Sequence, residues 1–188
     1  LPPELYAVAC VGSLDVYKSE GPGFASDNPG AHLHGHAELQ LAIEGEQIDL
    51  LFTSPAYNLV GFEHLARSDD QKALVNDATN WLGQTPLANT SEEGCTVMNA
   101  VVHHQAGGDD HGHSHGHDHD HQDESSHSDF EVTQTLSCPG LGSSQALATP
   151  ITTRFSGIEH LGVQWVWPEG QGSARLGHGQ STFELRSQ

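Results

Sequence analysis

Six histidines stand in strict alternation at His111, His113, His115, His117, His119 and His121, separated by Gly112, Ser114, Gly116, Asp118 and Asp120. Imidazole is a borderline-soft nitrogen donor suited to Zn, Cu and Ni, and aspartate adds oxygen donors and negative charge. Nine of the fifteen histidines fall between His103 and His127, which is enough to take up several divalent transition-metal ions. The stretch is too polar and Gly-rich to bury a core of its own. It therefore predicts a long, disordered, metal-collecting loop over residues 104–128. The plainer reading is a purification tag or a solvated spacer. A tag is usually terminal and unbroken, whereas this run is internal and interleaved with Asp and Gly.

A second cluster has a different character. His32, His34, His36, Glu38 and Gln40 alternate with Leu33, Ala37, Leu39, Leu41 and Ile43, the period of a half-buried antiparallel strand. Residues two apart on a strand project to one side about 6.6 Å apart, so neighbouring imidazoles can close on one ion. The rest of the shell must come from elsewhere. His64, His160 and His178 are the candidates, each equally readable as an ordinary structural histidine. Glu63 and Glu159 are weaker candidates, as acceptors that orient a ring.

The elements that must position these side chains are legible in outline. Gly45 sits in a short turn, and Gln47–Thr53, with Ile48, Leu50 and Phe52 on one face, returns as the hairpin partner. Residues 54–65 form an irregular or partly helical connection. Ser68 with Gln71 makes a capping box, and Leu74, Val75, Ala78, Trp81 and Leu82 recur at helical spacing up to Gly83. Cys95–His103 and Asp129–Cys138 read as strands. Pairing them antiparallel with Cys95 opposite Cys138 sets Val97 against Leu136, Asn99 against Gln134, Val101 against Val132 and His103 against Phe130. Opposed residues lie about 4.5–5.5 Å apart, within disulfide range. The His-rich stretch is then an oversized hairpin loop. Leu161, Val163, Trp165 and Trp167 alternate as a further strand, Pro168–Gly172 turn, and Ala174–Leu176 and Thr182–Arg186 continue the sheet.

These elements predict a single α+β domain over residues 31–188, a mostly antiparallel β-sheet with one or two covering helices. Residues 1–30, punctuated by Pro2, Pro3, Gly21, Pro22, Gly23, Pro29 and Gly30, read as an irregular lead-in. The formal charge of −19 over 188 residues repels phosphate backbones, which argues against nucleic acid, and attracts cations. No apolar run approaches 18 residues, so no membrane span is expected. Of three cysteines, Cys10 is left over.

Beyond these patterns, two stretches point to a family. His32-Leu-His-Gly-His-Ala-Glu38, followed by Ser54-Pro-Ala-Tyr-Asn-Leu-Val-Gly-Phe-Glu-His64, resembles the ZrgA-type periplasmic zinc-binding proteins of Gram-negative bacteria. The Cys-flanked strands around a His-rich insertion and Val163-Gln164 also fit. The resemblance spans about residues 31–188. It implies an exported, periplasmic protein that binds Zn2+ and helps zinc acquisition without catalysis, and the two histidine clusters together predict more than one bound ion. Zinc ligation would carry over onto His32, His34, His36 and His64. A zinc uptake transporter, or its binding protein, is then the expected recipient.

A rival reading comes from enzymes. His32-x-His34-x3-Glu38-x6-Gly45 matches the first motif of cupin metalloenzymes, in which two histidines and a glutamate bind Fe, Mn or Zn. The leading Gly of that motif is replaced by Ser26. The second motif fails too, because Pro168-Glu-Gly170 is followed by Ser173 where a His is needed, and His178 is too far along. A passive metal store, or a nickel or copper protein with the same ligands, is a third possibility. No nucleophile triad or glycine-rich phosphate loop is recognisable.

Overall fold

The structure is a computed structural model that describes residues 33–90, 94–105, 128–144 and 146–185. Among the described residues are nine strands, three α-helices and one 3-10 turn (Leu141–Ser143): β1 His36–Glu44, β2 Gln47–Pro55, α1 Ala56–Val60, α2 Asp69–Gln84, β3 Asn89–Thr90, β4 Thr96–Gln105, β5 Asp129–Ser137, β6 Ala146–Ala148, α3 Ile151–Arg154, β7 His160–Trp167, β8 Gly170–Gly177 and β9 Thr182–Glu184. The α+β expectation holds. The main sheet has the order β4-β5-β2-β1-β7-β8. Every pair in it is antiparallel except β1 and β7, which run parallel.

Alternation builds the core. Ala37, Leu39, Leu41 and Ile43 of β1 point the same way as Ile48, Leu50 and Phe52 of β2, and all are buried. Phe130, Val132 and Leu136 of β5 and Leu161, Val163 and Trp165 of β7 extend that layer. Helix α2 packs on β4 and β5, held at its start by the Ser68–Gln71 capping box. Ala78 and Leu82 face inward, whereas Leu74, expected on the same stripe, is half exposed.

Four details correct the sequence reading. The first strand begins at His36, so His34 stands in the preceding turn and Leu33 is exposed. Glycine at 35 takes φ +81°, a left-handed conformation that breaks the strand there. Helix α2 runs past Gly83 to Gln84. It stops where the buried Gln134 amide donates to the carbonyls of Leu82 (2.7 Å) and Thr85 (2.9 Å) and accepts from Leu87 N–H (3.0 Å). That side chain does the work of a helix C-cap.

The β4–β5 register is the third correction. Cys95 and Cys138 are bonded, with Cα atoms 4.3 Å apart, and Val97 faces Leu136 as expected. A bulge between Val97 and Asn99 then shifts the ladder by one residue. Asn99 faces Thr135, Val102 faces Val132, His103 faces Glu131 and His104 faces Phe130. An extra residue on one strand inverts every later side chain. Val101 is therefore exposed, and Val102 packs on the core. Lastly, β9 does not extend the main sheet. It joins β3 and β6 in a separate three-stranded sheet, which meets the core where Phe183 lies 5.5 Å from Trp165.

Candidate metal centre

The parallel β1–β7 pair brings two imidazoles together from distant parts of the chain. His36 and His160 are Cα partners, each the first residue of its strand. Their rings meet edge to face with centroids 5.2 Å apart. Both project from the face opposite the core. Two residues further along the register, Glu38 is partnered by Gly162. The Glu38 carboxylate lies across the Gly162 backbone, in the space that a Cβ would fill.

The backbone ahead of His36 is tied from two sides. Gly35 N–H donates to Asn58 Oδ1 at 2.7 Å, and Asn58 Nδ2 donates to His36 O at 2.8 Å. The Gly35 carbonyl accepts from the N–H groups of both Glu159 and His160, each at 2.8 Å. The Glu159 side chain lies against Gly35, where a Cβ would come within 3.1 Å of it.

His34 projects from this turn onto α1 and the segment after it. Its ring stacks on Tyr57, with centroids 4.3 Å apart and planes 11° from parallel. Its Nε2 donates to Glu63 Oε1 at 3.0 Å, which leaves Nδ1 of a neutral ring as the lone-pair nitrogen. A carboxylate behind an imidazole is the arrangement that orients a metal-binding histidine and raises its basicity. Glu63 takes the orienting place expected of it, and Tyr57 adds a stacking face.

The other candidates stand apart. His64 is exposed, stacks on Phe62 at 5.0 Å and donates from Nδ1 to Leu65 O at 3.0 Å, which leaves its Nε2 as the lone-pair nitrogen. His178 is exposed in the turn after β8, one residue beyond Gly177, the β8 partner of His160. His32 and the run His111, His113, His115, His117, His119 and His121 lie outside the described residues. Among the described residues no three His, Cys, Asp or Glu side chains are grouped closely enough to hold an ion. The described residues show a pair of imidazoles at the starts of β1 and β7, and a third, His34, held by Tyr57 and Glu63 in the turn before His36.

Sequence reasoning overlooked Tyr57 and Asn58, although both lie inside the motif that carried the family resemblance. The available signal was an asparagine within a short helix, a poor helix former unless its side chain is used elsewhere. The His-rich insertion enters at the same end of the sheet. Asp129 pairs with both Gln105 and Pro55, and β2 is the only strand between β5 and β1. His104, expected in the insertion, is a β4 residue stacked on Phe130 at 4.4 Å. Burial lowers its pKa from 6.5.

The open face of the sheet also holds a concavity of about 750 Å³, lined among others by Gln40, Gln164, Asn99, Thr133 and Thr135. It begins four residues along the register from the imidazole pair, and its lining also includes the apolar Ala42, Leu51 and Val166. No helix among the described residues is long and apolar enough to cross a membrane.

Comparison with curated proteins gives no match. A family model described as ZrgA family zinc uptake protein matches residues 31–185, which takes in the imidazole pair, its supports and both strands that flank the His-rich insertion. The chain belongs to the ZrgA family of zinc uptake proteins.

Proposed function

We propose that this chain is an exported zinc-collecting protein that binds Zn2+ for acquisition and passes it to an uptake system. The ordered site is built on His36 and His160, joined by His34 and completed by His32, Glu38 or a further histidine from His64 and His178. The insertion, through His111 to His121, gathers additional ions more weakly. Ordering a flexible segment costs about 1–2 kcal/mol per residue, so donors on a sheet bind more tightly than the same donors on an unstructured chain. Residues 31–188 act as one domain, and residues 1–30 lead into it.

The carrying observation is the His36–His160 pair, 5.2 Å apart at the end of the sheet from which the insertion departs. At strand spacings of about 4.8 Å, the insertion's stem at Asp129 stands roughly 10 Å from His36. That separation favours transfer within one molecule. The Cys95–Cys138 bond supports an oxidising compartment such as the periplasm. The enzyme alternative, a cupin-like site of His32, His34 and Glu38, needs its histidines on one strand, and His34 turns aside before β1 begins.

Competition titration of the full chain with Zn2+ tests the division. We expect one tight class and several weak ones, with deletion of residues 106–127 removing only the weak class. Loss of the tight class on that deletion would overturn the proposal.

A further inference from the structure

The β1–β2 ladder stops short of the imidazole pair. Its last register partners are Glu38 and Thr53, so Gly35 and His36 have no register partner on β2, although that strand runs on to Pro55. A strand end paired on one side only is prone to fray, which would disturb an edge-to-face pair of rings 5.2 Å apart. One side chain takes the place of the missing partners on the β2 side. Asn58 Oδ1 takes the Gly35 N–H, and Nδ2 reaches the His36 carbonyl and, at 3.2 Å, Ser54 Oγ. The acceptor and both donors of the amide are thereby used. Asn58 is only 3% exposed, so water cannot take over these bonds.

We infer that Asn58 is the positioning residue of the ordered zinc site, resting this on the zinc reading of His36 and His160. Its amide grips the outer side of the Gly35–His36 backbone, while the start of β7 grips the Gly35 carbonyl from the other side. His34, His36 and His160 all project from this knot. Asn58 itself is located by close backbone contact: a Cβ on Gly157 would come within 2.5 Å of the Asn58 carbonyl oxygen. Gly157, three residues before His160, is thus a glycine because α1 and the approach to β7 touch there. The arrangement fixes His36 relative to His160 without either ring needing a partner of its own.

The test uses the full chain, with Zn2+ titrated against a chromophoric chelator and imidazole 15N shifts followed by NMR. His36→Ala first tests the zinc reading. If the tight class survives that change, both the reading and the positioning role fall. If His36→Ala removes the tight class, Asn58→Ala decides the rest. Removing an outer partner of a metal site typically weakens binding roughly 10–100-fold. We expect that loss in the tight class alone, with the weak classes unchanged and the zinc-induced shifts of His36 and His160 reduced. Unchanged tight affinity in folded Asn58→Ala overturns the inference and leaves the zinc reading standing.

Gly157→Ala, which pushes on Asn58 without deleting its amide, decides in the same way should Asn58→Ala fail to fold. Gln134→Leu supplies the control for a merely structural effect, since it disturbs the core at the end of α2. It should lower stability without moving zinc affinity. An equal loss of affinity in Gln134→Leu would assign the Asn58 effect to general destabilisation and refute the role.

Discussion

His36 and His160 begin two neighbouring parallel strands as Cα partners, and their rings meet edge to face. That parallel pairing, the one such pair in an otherwise antiparallel sheet, is what joins the N-terminal histidine cluster to the C-terminal half of the chain.

Each ring should therefore be needed by the other. His36→Ala and His160→Ala are each expected to weaken tight Zn2+ binding by more than the roughly 10–100-fold typical of an outer partner. The double variant should be little worse than either single one, because residues that share one ligand are non-additive. Competition titrations on the four proteins measure the coupling, and simple additivity would place the two rings in separate sites.

Glu63 should matter through His34. Glu63→Gln keeps a hydrogen-bonding group but loses the carboxylate charge that favours the Nε2–H tautomer. Tight affinity should fall by roughly 10-fold or more, and the 15N spectrum of His34 should show the two tautomers mixing in the metal-free protein. An unchanged His34 spectrum would sever this link.

The disulfide closes a loop of 43 residues that contains the whole insertion. In the chain-entropy view such a crosslink stabilises by about 4 kcal/mol, and measured values commonly run from about 2 to 4. Cys138→Ala or reduction should lower stability by an amount in that range, which at about 2–4 °C per kcal/mol for a domain of this size shifts the melting temperature by roughly 5–15 °C. Zinc stoichiometry of the folded protein should not change, since the bond sits at the far end of β4 from the imidazole pair. Thermal melts with and without reductant, followed by titration, check both halves.

Gln134 replaces three backbone partners at once. Gln134→Leu leaves the Leu82 and Thr85 carbonyls and the Leu87 N–H without it. Each buried orphan costs about 1–3 kcal/mol. With partial relaxation, chemical denaturation should show a loss of about 2–4 kcal/mol, together with fraying at the end of α2.

His104 should make the metal-free fold acid-sensitive. Its Nε2 is buried with no hydrogen-bond partner among the described residues, and burial lowers its pKa from 6.5. The unfolded chain therefore binds this proton more readily than the folded one. The contribution of the neutral ring is complete above about pH 6.5 and is lost as the pH falls below it. His104→Leu should flatten that part of the stability profile, measured by denaturation in the presence of a chelator. An identical profile in the variant would show that the ring protonates without leaving its place.

Much of the fold was legible because short-range rules act strongly on this chain. Period-two burial located β1 and β2, the Ser68–Gln71 box started α2, and the two cysteines aligned β4 with β5 as far as Val97 and Leu136. The misses share one cause, which is local sequence overridden by distant contacts. Val101 and Val102 are equally apolar, and only the bulge at Met98 decides which one faces inward. Gly83 is a good helix terminator, yet the Gln134 amide, some fifty residues away, ends the helix later. His34 continues the strand's alternation in sequence, but the left-handed Gly35 and the Tyr57 face turn it aside.

By itself, the order of residues determined the chemistry: a strongly anionic chain, rich in imidazole and poor in cations, carrying one histidine cluster on a strand pattern and another in an insertion that cannot bury a core. Donor type and local periodicity depend only on near neighbours. Which histidines meet was decided by tertiary structure alone, because the β1–β7 pairing, the Asn58 amide beneath Gly35 and the glycines at 157 and 162 join segments far apart along the chain. No periodicity encodes such contacts; they form when the whole sheet closes over its core.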